Sequence, residues 1–278
     1  MEISLTGYSD LTFCYGRSKS SKLDVQNRKF QICSSRFSGT EERNSPREVK
    51  LEIQKCYDLI KKLGRGAVYL GSSRFDSQHS HYKQTFELGR EVAKLLDCTT
   101  WTGAGPGLMD AVVKGALAAK KTVGGFKIGR EAGEWTSSNF HPYLPEDTYL
   151  TCRFFSARKH GLVDAAMRRS SSEMTAVVGL PGGIGTLDEI FEVLSLIQLK
   201  RIGSSFPVPF LLMNYDSYYS KLLDFIADCE TKGTLDKGEI DSIWKVCDSN
   251  LQALEYLVDF YNLTSPKMPL LEEVNLPN

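Results

Sequence analysis

With 278 residues, 41% of them hydrophobic and 24% charged, the chain has an ordinary globular composition and length for one large domain or two small ones. Its 34 basic and 34 acidic side chains cancel, which argues against a general nucleic-acid binder, and no apolar run approaches the roughly 20 residues a membrane span needs. The seven cysteines are scattered without a Cys-x-x-Cys pair and the four histidines are dispersed, so reduced thiols in an intracellular compartment are expected, with no disulfide framework and no metal site.

Residues 1–44 are dense in serine (Ser18, Ser20, Ser21, Ser34, Ser35, Ser38), more basic than acidic, and without a sustained apolar period. This composition suggests a chloroplast-type transit peptide; the alternative is a disordered extension of a cytoplasmic protein. The folded part, residues 45–278, is expected to begin at Ser45-Pro46-Arg47-Glu48, where an N-cap, a proline at the first helical position and an acid at the third agree on a helix start.

That helix should run to about Leu63. Ala67–Leu70 reads as a short buried strand delivering Gly71-Ser72-Ser73, and a helix is predicted over Tyr82–Leu96. Cys98–Thr102 is a second strand, followed by the glycine turn Gly103-Ala104-Gly105-Pro106-Gly107 and a helix from Leu108 to about Ala119. Gly115 and Ala116 on that helix would allow close packing on a sheet. Thr122–Phe126 is a third strand, and the polar, aromatic stretch Lys127–Tyr149, which has no clear period, is expected to be a functional loop. A helix from about Phe155 leads to a strand at Val177–Leu180. Pro207–Leu212 and Ile243–Val246 should be further strands, with a helix carrying Leu222, Phe225 and Ile226 between them and a closing helix from Leu251 to Leu263. Strands alternating with helices imply an α/β fold, a Rossmann-like doubly wound parallel sheet with helices on both faces.

In such a fold ligands sit at the carboxyl ends of the strands, where all three glycine turns fall. No Gly-Lys-Ser or Gly-Lys-Thr closes them, which excludes a Walker A loop, and Gly103-x-Gly105-x-Gly107 is one residue short of a dinucleotide fingerprint. The most informative stretch is Pro181-Gly182-Gly183-Ile184-Gly185-Thr186-Leu187-Asp188-Glu189. After it, Leu187, Ile190, Phe191, Leu194 and Ile197 take helical spacing. Strand, glycine turn and helix start together gather unpaired N–H groups at a positive dipole end, a geometry that binds phosphate. Thr186-Leu187-Asp188-Glu189 also fits a capping box, with Thr186 as N-cap, in which Glu189 would serve only the helix.

This nine-residue motif resembles the PGGxGTxxE signature of the Lonely Guy (LOG) family, cytokinin riboside 5′-monophosphate phosphoribohydrolases often labelled lysine decarboxylase-like. Arg158-Lys159 resembles the family's paired Arg-Lys, and Gly71-Ser72-Ser73 and Gly105-Pro106-Gly107-Leu108-Met109 sit where its other signatures lie. The resemblance covers roughly residues 65–250. Ala104 stands where many members have glycine, and Phe154–Lys159 carries one residue more than the related Phe-Phe-x-Arg-Lys pattern.

The resemblance implies hydrolysis of the N-glycosidic bond of a nucleoside 5′-monophosphate to free base and ribose 5-phosphate, without a cofactor, in a homodimer. By motif position Arg158 and Glu189 would be catalytic. Substrate contacts would come from Gly71, Ser72, Ser73, Gly105, Gly107, Met109 and Lys159, and from Gly182, Gly183, Ile184, Gly185, Thr186, Leu187 and Asp188. Two other classes stay open: a non-catalytic nucleotide carrier of the same fold, and a decarboxylase needing pyridoxal phosphate on a lysine. For the latter Lys127 is the nearest candidate, and nothing around it resembles a cofactor site.

Overall fold

The computed structural model describes residues 46–128 and 140–263; the N-terminal extension, Ser45 and part of the 127–149 segment lie outside them. Among the described residues seven α-helices and seven strands follow one another, alternating except where β3 is succeeded by β4: α1 Pro46–Leu63, β1 Gly66–Leu70, α2 Ser80–Leu96, β2 Thr99–Thr102, α3 Leu108–Ala118, β3 Val123–Ile128, β4 Tyr149–Cys152, α4 Phe155–Ala166, β5 Ala176–Gly179, α5 Ile184–Gln198, β6 Phe210–Met213, α6 Ser220–Thr231, β7 Lys245–Cys247 and α7 Asn250–Tyr261. The strands form one sheet in the order β4-β3-β2-β1-β5-β6-β7, parallel at every pairing. The doubly wound fold expected from the sequence is the one observed.

Each central strand is buried on both faces, so it reads as a continuous apolar run. Val68 and Leu70 of β1 join Trp101, Val177 and Phe210 under α1, α4 and α5. Ala67 and Tyr69, one step out of phase, join Val178 and Leu211 under α2, α3 and α7. The chain winds outward from β1 to β4, then returns to β5 on the other side of β1 and continues to β7. The strand order therefore reverses between β1 and β5, which opens a crevice at their carboxyl ends.

Four expectations change. Tyr149, placed at the end of the expected functional loop, opens the edge strand β4 with Leu150–Cys152, a stretch given no element from the sequence; among the described residues β4 pairs with β3 alone. β6 begins at Phe210 instead of Pro207, since Pro207 and Pro209 have no N–H for the ladder, although the Pro209 carbonyl still accepts from Val177 (2.9 Å). Gly115 serves α2 and not the sheet: a Cβ there would come within 2.2 Å of the Phe86 carbonyl oxygen. The fourth, the start of α5, belongs to the site.

Candidate active site

Backbone hydrogen bonds sew the three glycine turns together. Ser72 N–H donates to the Pro181 carbonyl (3.1 Å), and the Ser72 carbonyl accepts from Leu108 N–H (2.9 Å). Gly71–Ser73, Gly103–Gly107 and Pro181–Gly185 thus meet at the carboxyl ends of β1, β2 and β5, as the topology requires. Gly71, Gly105 and Gly107 are buried in this junction, and Ser72 Oγ accepts from Arg74 N–H (3.1 Å), closing its own turn. Ala104 adopts φ +49°, a left-handed conformation that favours the glycine many family members carry there.

The capping-box expectation is overturned. Gly183, not Thr186, is the N-cap of α5, and no side chain caps the helix. Gly182 makes room for Thr186: a Cβ on it would lie 2.2 Å from Thr186 Oγ1. The helix therefore starts earlier than the Thr186 pattern suggests, and Glu189 falls in its second turn, beyond reach of the cap. The N–H groups of Ile184, Gly185 and Thr186 belong to the first turn, which has no intrahelical acceptors. Gly183, Ile184 and Gly185 are exposed, Ile184 at 83%. Of the remaining motif residues, Leu187 packs against the core and Asp188 pairs with Lys159.

Glu189 meets Arg158 instead. Arg158 Nη1 lies 2.8 Å from Glu189 Oε1, with the two side chains 6% and 8% exposed. The Arg158 Nε–H donates to the Phe126 carbonyl at the end of β3 (3.0 Å), and Nη2 lies 4.0 Å from Met109 Sδ at the start of α3. Gly103 is obligatory for this arrangement, since a Cβ there would sit 2.0 Å from Arg158 Nη2. One guanidinium thus ties together the ends of β2 and β3 and the starts of α3 and α5. Beside it, Lys159 Nζ bridges Asp188 and Glu192 at 3.0 Å each. Burial works against the charge on Lys159, but the two ion pairs prevail and hold its pKa above the ordinary value.

Sequence reading missed a second polar cluster beside Met109. Asp110 is 5% exposed and accepts from the hydroxyls of Tyr82 and Tyr143, with Lys114 Nζ at 2.9 Å. It also missed Tyr218 and Tyr219, which donate to the Gly182 and Leu180 carbonyls (3.1 and 2.6 Å). No motif marks either group; only contact reveals them. Lys127 is 2% exposed within β3. Among the described residues no group of three or more His, Cys, Asp or Glu could hold a metal ion, and no helix is long and apolar enough to cross a membrane.

A family model described as possible lysine decarboxylase matches residues 109–257, just over half of the chain, including Arg158 and Glu189. A probable cytokinin riboside 5′-monophosphate phosphoribohydrolase of Oryza sativa subsp. japonica is 30% identical over 179 residues, 60% of this chain. That match spans 60% of the rice protein's own length. A cytokinin riboside 5′-monophosphate phosphoribohydrolase of Arabidopsis thaliana is 29% identical over 182 residues, 62% of this chain and 72% of its own. Among solved structures, a molybdenum cofactor carrier protein of Chlamydomonas reinhardtii covers 72% of this chain and 99% of its own at 18% identity and a TM-score of 0.48, a level that carries nothing about function.

Proposed function

The chain belongs to the possible lysine decarboxylase family, of LOG type, and on that premise we propose that it hydrolyses the N-glycosidic bond of a nucleoside 5′-monophosphate. The observation that carries the proposal is the pairing of Glu189 with Arg158 on the helix whose uncapped N-terminus opens at the crevice between β1 and β5. The phosphate takes the N–H groups of the first turn of α5, where the helix dipole favours an anion. The ribose then extends along the helix toward Glu189. As the C1′–N bond breaks, its electron pair leaves with the base and positive charge develops on the ribose, which a carboxylate stabilises. Water adds to C1′ and gives its proton to Glu189, which acts as general base; that proton then passes to the departing base, which leaves neutral, and the carboxylate is restored. Arg158 holds that carboxylate in place. The names of the rice and Arabidopsis relatives support this chemistry and suggest a cytokinin riboside 5′-monophosphate as the substrate.

The test is a panel of nucleoside 5′-monophosphates scored for free base, with AMP set against adenosine. Two or three charge-assisted bonds to phosphate make the expected difference in kcat/KM at least about 100-fold. Comparable rates on AMP and adenosine would contradict the phosphate anchor. Binding of AMP without release of adenine would turn the reading to a nucleotide carrier. A homodimer, checked by sedimentation, and plastid targeting by the Ser-rich N-terminal segment, checked with a fluorescent reporter fusion, complete the proposal.

A further inference from the structure

The connection between β6 and α6 holds a strained turn outside the reaction just proposed. Asp216 and Ser217 adopt φ of +51° and +59°, the left-handed region that residues other than glycine seldom occupy in succession. Hydrogen bonds hold the turn on both sides. Asn214, 7% exposed, accepts from Tyr219 N–H through Oδ1 (2.8 Å) and donates through Nδ2 to Asp248 (3.0 Å), while its own N–H donates to the Cys247 carbonyl (2.8 Å). Asp216 Oδ2 is 3.0 Å from Nε2 of His81, a residue of α2 that is 5% exposed. Strain held from this many directions persists where the turn presents something useful.

What it presents is the pair of tyrosine hydroxyls on the motif backbone. Tyr219 donates to the Leu180 carbonyl and Tyr218 to the Gly182 carbonyl, one on each side of Pro181. In a trans peptide the C=O and the following N–H point in opposite directions. A Gly182 carbonyl turned toward Tyr218 therefore turns the Gly183 N–H away from it, toward the open side where Gly183, Ile184 and Gly185 are exposed. We propose that Tyr218 is a positioning residue for anion binding: its hydroxyl, aimed by the His81–Asp216 latch, orients the Gly182–Gly183 peptide so that Gly183 N–H joins those of the first turn of α5. This rests on the reading that α5 takes the substrate's phosphate.

Tyr218→Phe removes the hydroxyl and leaves the ring with its edge contacts to Phe75 and Tyr219 (centroids 6.4 and 5.0 Å). Calorimetric titration of the full chain with ribose 5-phosphate should show Kd rising roughly 5- to 10-fold, the scale of one lost hydrogen bond. Affinity for adenosine, which has no phosphate, should stay unchanged. Asp216→Ala should weaken ribose 5-phosphate binding similarly, and Asp216→Asn, which still accepts from His81 and tolerates this φ, should restore it. Unchanged ribose 5-phosphate affinity in Tyr218→Phe, or equal losses for both ligands, would overturn the positioning role. If Asp216→Ala binds like the native chain, the latch is wrong. A native chain that binds no ribose 5-phosphate sinks the phosphate reading, and this inference with it.

Discussion

Arg158 and Glu189 show how catalytic and structural demands meet in single residues. The ion pair lies almost wholly out of water, and removing one member takes from the other, still charged and buried, its contact across the pair. Arg158→Met should therefore lose activity and also about 3–5 kcal/mol of stability. Arg158→Met combined with Glu189→Leu should recover most of that stability while remaining inactive, because an apolar pair of similar volume carries no desolvation cost. Urea unfolding of the two variants beside an assay for free base checks both halves. A single variant as stable as the native chain would mean the pair contributes to chemistry alone. Glu189→Gln is the gentler probe of catalysis, since its amide oxygen still accepts from Arg158 while the negative charge is gone. Near-normal turnover in that variant would remove Glu189 from the mechanism.

At the scale of elements, the stretch leading into β4 is organised by His141. Its Nδ1 accepts from the N–H groups of Leu144 (3.1 Å) and Tyr143 (3.4 Å), and the Tyr149 hydroxyl accepts from its own N–H (2.9 Å). Burial pushes its pKa down to about 4; Asp110 pulls the other way and Lys127 adds to the fall. The unfolded chain, at the ordinary value of 6.5, takes up the proton first. Stability from His141 is thus fully present above pH 6.5, declines as pH falls toward 4, and is gone below it, a loss of at most about 3 kcal/mol. Urea midpoints at neutral pH and between pH 6 and 4 should show a steeper acid decline in the native chain than in His141→Gln. Parallel declines would mean that His141 is already accessible to protons in the fold. The Tyr143 hydroxyl extends the same tether to Asp110, beside Met109 and hence beside Arg158.

For the whole molecule, the reversal of strand order between β1 and β5 determines where a ligand can bind. The turns after β1, β2 and β5 converge there, and the turn after β6 braces them through Tyr218 and Tyr219. The first 43 residues lie outside the described structure, and their Ser-rich sequence has no sustained apolar period. A chain beginning at Asn44 should keep its melting temperature and its release of base from AMP. Lost activity on truncation would place part of the site in the extension.

The chain's own sequence determined the succession of strands and helices, the parallel fold and the three glycine turns, because period, turn chemistry and burial on both faces are written in neighbouring residues. It also marked Arg158 and Glu189 by motif. Tertiary structure alone decided that they touch, since they lie on α4 and α5 and meet only after β5 returns beside β1. It likewise chose between two caps for α5: Thr186 satisfies the local pattern, but Gly182 lets Thr186 fold over it and the helix begins at Ile184. β4 escaped notice because an edge strand is held by its one neighbour instead of by its own alternation. Tyr218 was illegible for the same kind of reason. Its hydroxyl acts on a carbonyl 36 residues away, and the strain that aims it is a property of the packed turn, set by His81 and Asn214 from outside the motif.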